Sequence, residues 1–371
     1  MSDWKKVRLG NYIHEYSERN KDDADIPVYS VTNSNGFCTE YFSKEVASKD
    51  KTTYKIVRKG YFAYNPSRIN VGSVDWLRNE DAVIVSPLYN VFYVDDSIDQ
   101  QYLYYYLKSP VGSYYISELA SGSVRDNLKL SILSEFRIPL PDIKTQKEIV
   151  ATLDSIVHMI SVCNAILKKI DLLVKSRFVE MFNTGEYTTV KLKSVCSKIT
   201  DGTHKTPNYL SEGITFISAK NIINGELDFS DVKYISETEY IEIQKRCQTD
   251  IYDILLSKSG SLGSPTILRT DKPLGLFESL AIIKYDRRIL LPEFLCEQLK
   301  TDDIQRQFKT GTKGVAIKHL HLNVIGDIDV VVPPLALQQQ FADFVEQTDK
   351  SKFIVDNIKK IIRRVRIYDQ L

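Results

Sequence analysis

Two long stretches of the chain run without internal proline or glycine and carry an apolar stripe, the first at alternating steps of four and three. Between Ile143 and Phe182 the stripe is Ile149, Leu153, Ile156, Ile160, Cys163, Leu167, Ile170 and Val174, the spacing of a heptad seam. A helix over this stretch would run about 60 Å at about 1.5 Å per residue. A stripe that long has to be covered, and a partner helix is the natural cover. Leu335 to Leu371 supplies one. Its stripe falls at Phe341, Phe344, Gln347, Ser351, Ile354, Ile358, Ile361, Val365 and Tyr368, and the polar steps in its middle weaken it. The pattern therefore predicts an antiparallel pair of long helices with a globular module before each.

The modules alternate short apolar runs with turn clusters. Ile26 to Val31, Gly60 to Tyr64, Ala82 to Ser86 and Val91 to Val94 have strand composition, and Thr32-Asn33-Ser34-Asn35-Gly36 is a turn cluster. Gln100 to Leu107 is predicted to be helical. Phe136 to Leu140 is a short strand stopped by Pro141, after which Asp142 can cap the first long helix. Asn183-Thr184-Gly185 ends that helix.

The second half repeats the first. At a shift of 192 residues, Leu103 meets Leu295, Leu107 meets Leu299, Lys108 meets Lys300, Leu128 meets Leu320, Pro141 meets Pro333 and Gln146 meets Gln338. Ile149 likewise meets Phe341, and Leu153 meets Val345. Near the module starts Leu9 and Leu192 differ by 183, so some nine residues are inserted early in the second copy. The expected organisation is a first module over 1–142, a first long helix over 143–184, a second module over 185–334 and a second long helix over 335–371. The fold class is α/β (mixed α+β).

Composition narrows the function. The chain has 371 residues, is 43% hydrophobic and carries a formal net charge of +1. Global charge does not announce a nucleic-acid binder, so any basic patch has to come from local segregation. Cys38, Cys163, Cys196, Cys247 and Cys296 form no CxxC pair, the usage of reduced intracellular thiols. No apolar run approaches about 18 residues, and the first ten residues lack an apolar signal core. The expectation is a soluble cytoplasmic protein without a membrane span. No P-loop signature and no HExxH occurs. His319 and His321 lack a third ligand, and Ser67-Arg68 breaks the amino-methyltransferase motif that Asn65-Pro66 begins. No nucleophile and base stand together, so no catalytic residue, metal or cofactor is assigned to this chain.

The polar loops tell more. Asn65, Ser67, Arg68, Asn70 and Ser73 crowd one loop, and Lys258, Ser259, Ser261 and Ser264 crowd the matching loop of the second module. Thr203, His204 and Lys205 add similar groups, as do Lys220 with Asn221, Ser123 with Arg125, and Thr312 with Lys313 and Lys318. Arg bonds guanine bidentately, Asn bonds adenine, and Ser, Lys and backbone amides hold phosphate. Any one of these residues also fits a solvated turn. Their recurrence at corresponding places in both modules favours contact with DNA.

These residues carry a resemblance. Asn65-Pro66-Ser67-Arg68-Ile69-Asn70-Val71-Gly72-Ser73 resembles a loop common in one class of target-recognition domain of type I restriction–modification specificity subunits. Asp201-Gly202-Thr203-His204-Lys205-Thr206-Pro207 and the segment from Asp253 to Gly263 resemble signatures of another class. Ile138-Pro139-Leu140-Pro141 with Gln146, and Val332-Pro333-Pro334-Leu335 with Gln338, resemble the starts of the family's two spacer helices. Leu172 to Phe178 resembles the end of its central helix. The chain departs from the family where Asp142 replaces a proline and where Tyr252 stands at a position that is glycine in many relatives.

The resemblance implies a chain with no chemistry of its own. Two duplicated target-recognition domains, related by a pseudo-twofold, would each read one half of a split, asymmetric double-stranded DNA target. The antiparallel coiled-coil helices would act as a ruler, with half-site centres roughly one duplex turn apart. Two methyltransferase subunits would dock on the helices and modules, carry S-adenosylmethionine and flip the target adenine. Restriction subunits, where present, would carry ATP and Mg. The helix-pair and partner interface is expected at Ile149, Leu153, Ile156, Ile160, Leu167, Ile170, Phe341, Val345, Ile354, Ile358, Ile361 and Val365. A methylation-only or other phage-defence complex would use the same fold. A coiled-coil adaptor would leave the polar loops unused, and the missing motifs oppose an enzyme in its own right.

Overall fold

The computed structural model describes residues 4–39, 50–121, 127–311 and 319–364. The chain divides into two compact units, Met1–Cys163 with Asn357–Leu371, and Asn164–Asp356. Each is a mixed α/β module joined to parts of the long helices.

In the first unit, Lys6–Arg8 pairs antiparallel with Arg137–Pro139, with Val7 opposite Ile138. A four-stranded antiparallel sheet has the order Ile13–Glu15, Asn90–Val94, Phe62–Tyr64, Val74–Trp76. Two further pairs join Ser30–Thr32 to Gly36–Cys38 and Lys55–Arg58 to Ala82–Val85. The strand expected from Ile26 is shorter than its composition suggests, because Pro27 has no N–H to offer a ladder. Helix α1 (Gln100–Lys108) is capped by Asp99, whose carboxylate accepts from the Tyr102 N–H at 3.0 Å. It buries Tyr102, Leu103, Tyr106 and Leu107, the i, i+3, i+4 spacing of an amphipathic helix. Helices α2 (Pro110–Ser121) and α3 (Leu130–Leu133) follow, and then α4 (Ile143–Phe182). Asp142 caps α4 by accepting from the Thr145 N–H at 3.0 Å and the Thr145 hydroxyl at 2.8 Å.

The second unit repeats this plan. Thr189–Lys191 pairs with Asp329–Val331, and the four-stranded sheet runs Cys196–Asp201, Leu280–Tyr285, Ile254–Ser257, Pro265–Ile267. A three-stranded sheet places Ile214–Ile217 between Lys233–Ile235 and Leu274–Leu276, parallel to the latter, where the first unit has the parallel bridge of Val28 with Ile84. Helix α5 (Glu237–Arg246) packs Ile243 into the same cluster as Leu274 and Leu276. Helices α6 (Pro292–Lys300), α7 (Asp302–Gly311), α8 (Leu322–Gly326) and α9 (Leu335–Arg364) correspond to α1 to α4.

The duplication extends to individual hydrogen bonds. Gln146 is fully buried at the start of α4. Its side-chain oxygen accepts from the Asp99 N–H at 2.9 Å, and its amide donates to the carbonyls of Ser97 and Pro141 at 2.8 and 2.9 Å. Gln338 is fully buried at the start of α9. It accepts from the Leu291 N–H at 2.9 Å and donates to the carbonyls of Ile289 and Pro333, each at 2.8 Å. Each partner of Gln338 lies 192 residues after its counterpart. At the module starts the Leu9 N–H donates to the Phe136 carbonyl, and the Leu192 N–H to the Ile328 carbonyl, which preserves the smaller shift of 183 on one side of the pair.

The helix ends are built into the module cores. Ile149 and Leu153 pack with Tyr102 against Trp4 and Tyr105. At the other end, Phe178 and Phe182 enclose Phe341 with ring centroids 5.5 Å away in both cases, and Phe294 sits 4.9 Å from Phe182. Lys352 pairs with Asp171 at 2.8 Å, so within this unit α4 and α9 run antiparallel, as the stripes predict. Ile156 is buried, and Ile160, Leu167 and Ile170 are half-buried. Phe341 and Val345 are buried, but Ile354, Ile358 and Ile361 are 59%, 46% and 61% exposed. The expected seam of α9 is thus not followed past its first turns. There Lys352, Val355, Lys359 and Ile362 are half-buried, as are Asp356 and Asn357, and the first four continue the heptad of Phe341, Val345 and Thr348; the expected stripe takes two successive steps of three after Phe341 and so leaves that register. Val365 lies outside the described residues.

Helix α4 also corrects one expectation. It holds an 18-residue window of mean hydropathy 1.7 and is long and apolar enough, by length and composition alone, to cross a membrane. Its two ends are nevertheless packed into folded cores.

Tyr252, where the resemblance implied glycine, has φ of +70°. Left-handed backbone penalises a side chain by about 1–2 kcal/mol, while glycine loses about 0.5–1 kcal/mol in chain entropy. Tyr252→Gly is therefore expected to raise stability by about 0.5–1 kcal/mol; a fall in the thermal midpoint would show that the ring contact with Arg287 outweighs the backbone. Gln338→Ala strands three buried polar groups. It is expected to destabilise its module by about 2–4 kcal/mol in chemical denaturation, and Gln146→Ala to do the same in the first module.

Candidate nucleic-acid interface

In the first module the strand Phe62–Tyr64 delivers the chain into the loop 65–73. The Asn65 side chain accepts from the Ser67 N–H and hydroxyl at 3.1 and 2.9 Å, an Asx turn that fixes the loop's first corner. Ile69 anchors the loop in the core and Ser73 is buried, while Ser67 and Arg68 are exposed. Gly72 closes the loop at φ of +88°, and a Cβ there would lie 2.5 Å from Asn33 Oδ1. Lys108 braces this closure by donating to the carbonyls of Gly72 and Asn33 at 2.7 and 2.9 Å. Asn70 is half-buried. The loop thus presents Ser67 and Arg68 outward and uses Asn65 and Ser73 to hold its own shape.

The loop 257–264 occupies the corresponding place. The Leu128 N–H donates to the Pro66 carbonyl, and the Leu320 N–H donates to the Lys258 carbonyl, both at 3.0 Å. The Ser257 hydroxyl donates to the Ser261 carbonyl and accepts from the Ser264 N–H at 2.9 Å. Gly260 and Gly263 take φ of +72° and +76°. Ser259 is half-buried and Ser261 exposed. The backbone plan is shared between modules, but the side chains it carries are different.

Lys258 is turned inward. Its side chain is 11% exposed, and its ammonium pairs with the buried Asp201 carboxylate. Arg246, at the end of α5, donates through Nη2 to the same carboxylate and through Nε to the Asp201 carbonyl at 3.4 Å. His204 Nε2 lies 3.3 Å from Asp201, and its Nδ1 lies 2.7 Å from Glu278. Burial pushes the Asp201 carboxyl up, but the hydrogen bonds and charges of Lys258 and Arg246 outweigh it and hold the group below the usual carboxylate range. Gly202 makes this approach feasible, since a Cβ there would lie 2.1 Å from the Leu276 carbonyl oxygen. Thr203 closes the following turn with Lys205 at 3.2 Å, leaving Lys205 exposed.

Asn221 also serves the fold. Its buried side chain accepts from the Ser218 N–H at 3.0 Å and donates to the carbonyls of Asp228 and Asp231 at 3.2 and 3.0 Å. Lys220 beside it is exposed and pairs with Asp231 at 3.1 Å. Ser123, Arg125, Thr312, Lys313 and Lys318 lie outside the described residues. Among the described residues no group of three or more His, Cys, Asp and Glu side chains could hold a metal ion.

Sequence reasoning missed Arg246, Glu278 and Asp201 as members of one cluster. Asp201 was legible as part of a motif. Arg246 and Glu278 were not, because only α5 and the folded second module bring them to Asp201 from 45 and 77 residues away. It also missed Arg78, whose guanidinium stacks between Trp76 and Tyr104 at 4.5 and 4.8 Å and pairs with Asp75 at 2.6 Å.

Relatives share this architecture. The curated specificity subunit of the Escherichia coli type I restriction enzyme EcoBI is 22% identical, with 86% of this chain and 77% of that one covered. The S subunit of a type I restriction–modification system from M. genitalium superposes with a TM-score of 0.53 at 17% identity, over 98% of this chain and 94% of that one. A chain from a study of complex assembly and conformational transition in a type I R-M system superposes with a TM-score of 0.58 at 14% identity, over 100% and 97%. These likenesses establish the fold. The pattern of the family described as the type I restriction modification DNA specificity domain matches residues 1–172 and again 184–364, once on each of the two modules whose hydrogen bonds repeat, and the chain therefore belongs to that family.

Proposed function

We propose that each module of this specificity subunit binds one half of a bipartite, asymmetric DNA target, and that the long helices set the spacing and dock two methyltransferase subunits. The observation that carries this reading is the pair of corresponding loops, 65–73 and 257–264. A shared backbone plan with different side chains is what two readers of two different half-sites require. The subunit has no catalytic role itself. Adenine methylation, S-adenosylmethionine and base flipping belong to the modification subunits in this reading, and ATP and Mg belong to restriction subunits. The complex is cytoplasmic and makes no membrane contact. Near-neutral overall charge is compatible with DNA binding, because partner subunits that enclose the duplex can provide much of the phosphate contact.

The exposed apolar rows of the long helices support the docking role. Phe353, Ile354, Ile358 and Ile361 on α9 are all exposed, as are Val157, Val162, Ile166 and Leu172 on α4. Exposed apolar surface of this extent marks an interaction site, and the modification subunits are the partners of matching role. One structural neighbour comes from a study of complex assembly in a type I R-M system.

The direct test is a map of methylated adenines in a host carrying this chain with its modification subunits, set against a host lacking this chain. A split motif that vanishes with the chain is expected, and chain-independent methylation would end the proposal. Arg68→Ala should relax one half of that motif only, at a binding loss of about 1–3 kcal/mol for the cognate duplex; equal relaxation of both halves would contradict two independent readers. Ile358→Asp, on an exposed row, should leave the stability of the chain within about 0.5 kcal/mol. It should also weaken assembly with the modification subunits on size-exclusion chromatography, whereas a normal complex would remove this row from the docking surface.

A further inference from the structure

We propose that Arg246, braced by Asp201, reads a guanine in the half-site of the second module. This inference rests on the two-reader function above and deepens it. Both hydrogen bonds from Arg246 to Asp201 leave from one edge of the guanidinium, Nη2 to the carboxylate and Nε to the carbonyl. The side chain is still 53% exposed. Nη2 also meets His204 Nε2 at 3.3 Å, while Nη1 has no acceptor among the described residues. Nη1, with its two hydrogens, is the end left to bond guanine O6 and N7 in the major groove.

The brace matters as much as the fork. Asp201 is 3% exposed in its side chain and carries two cations at once, Lys258 and Arg246. Its position is fixed by the close approach of Gly202 to Leu276. An arginine held from behind in this way loses less conformational freedom on meeting its base than a free one does. Arg78 in the first module is also held by a buried aspartate, but rings cover it on both sides and Gln101 takes its Nη2 at 3.0 Å. Among the described residues no ring covers Arg246, and although its Nη2 meets His204 Nε2 at 3.3 Å, its Nη1 has no acceptor.

A base rather than a phosphate is favoured by its neighbours. Lys258, the natural phosphate ligand of the cluster, is turned inward onto Asp201. Glu278 stands beside His204 with its side chain 39% exposed. A carboxylate there repels the DNA backbone, whereas in the groove it accepts from an exocyclic amine such as cytosine N4. Arg246, a positively charged donor fork, and Glu278, a negatively charged acceptor, together suit base edges.

The test uses the chain assembled with its modification subunits, and duplexes taken from the wild-type methylation map. Arg246→Ala and Asp201→Asn are expected to lose preference for guanine at one shared position of the second module's half-site by about 10- to 100-fold. Discrimination in the first module's half should not change. Arg246→Lys keeps the charge without the fork and should bind cognate duplex within a few-fold while failing to recover that preference. Arg246 is exposed, so its variants fold even where Asp201→Asn weakens the module by leaving Lys258 without its partner. Uniform weakening on every duplex, with the salt dependence reduced by about one charge, would make Arg246 a phosphate contact and overturn the proposal, as would an unaltered motif or relaxation in the first half. A wild-type complex that yields no split motif at all would instead remove the two-reader function itself, and this inference with it.

Discussion

A buried glutamine at the first turn of each long helix holds this architecture together. Gln146 and Gln338 each satisfy one backbone N–H and two carbonyls that would otherwise be stranded in the interior. The groups they bind belong to the segment that caps α1 or α6 and to the proline that stops the preceding strand. One side chain thus joins the last strand of the module, its first helix and the long helix that leaves it. Unsatisfied buried amides and carbonyls are expensive, so the angle at which the helix leaves its own module has little freedom. The same three bonds recur 192 residues later, which is the strongest physical sign that one unit was duplicated.

On that constant frame the variable parts sit at the ends of strands. The loops 65–73 and 257–264 keep the same backbone attachment to Leu128 and Leu320, yet they present an arginine in one module and a serine-rich turn with an inward lysine in the other. The second module goes further, since α5, which has no helical counterpart among the described residues of the first, brings Arg246 to Asp201. A scaffold that holds its core bonds while its loops and insertions diverge can change what it reads without changing how it folds or what docks on it.

The apolar surface of the long helices belongs to the same division of labour. Near the modules it is covered by the chain's own rings, with Tyr102 at one end and the Phe178, Phe182, Phe294 and Phe341 cluster at the other. Farther out, isoleucines and Phe353 remain exposed. The long helices therefore carry two kinds of apolar residue, a buried row that anchors them and others off that row that remain as surface.

The sequence alone determined the long helices, their caps, the repeat and its register, because each rests on local periodicity or on residue types with one strong preference. Ile143 to Phe182 is helical over the whole span that its stripe and lack of breakers predicted, and Asp142 and Gln146 stand where a cap and a repeated glutamine were legible. The paired polar loops were legible too, from their turn residues. Tertiary structure decided which polar groups face outward. Lys258 and Asn221 look like DNA contacts in sequence, yet one neutralises Asp201 and the other ties together carbonyls of Asp228 and Asp231. Only the folded chain shows that Ile354, Ile358 and Ile361 lie off the seam, since burial follows the heptad through Phe341, Val345, Thr348, Lys352, Val355, Lys359 and Ile362, and the polar members of that row hide it from apolar spacing. The cluster of Asp201, His204, Arg246, Lys258 and Glu278 could not be read at all from spacing, because ion pairs depend on distance in space and these residues come from four separate segments that only the second module's core brings together.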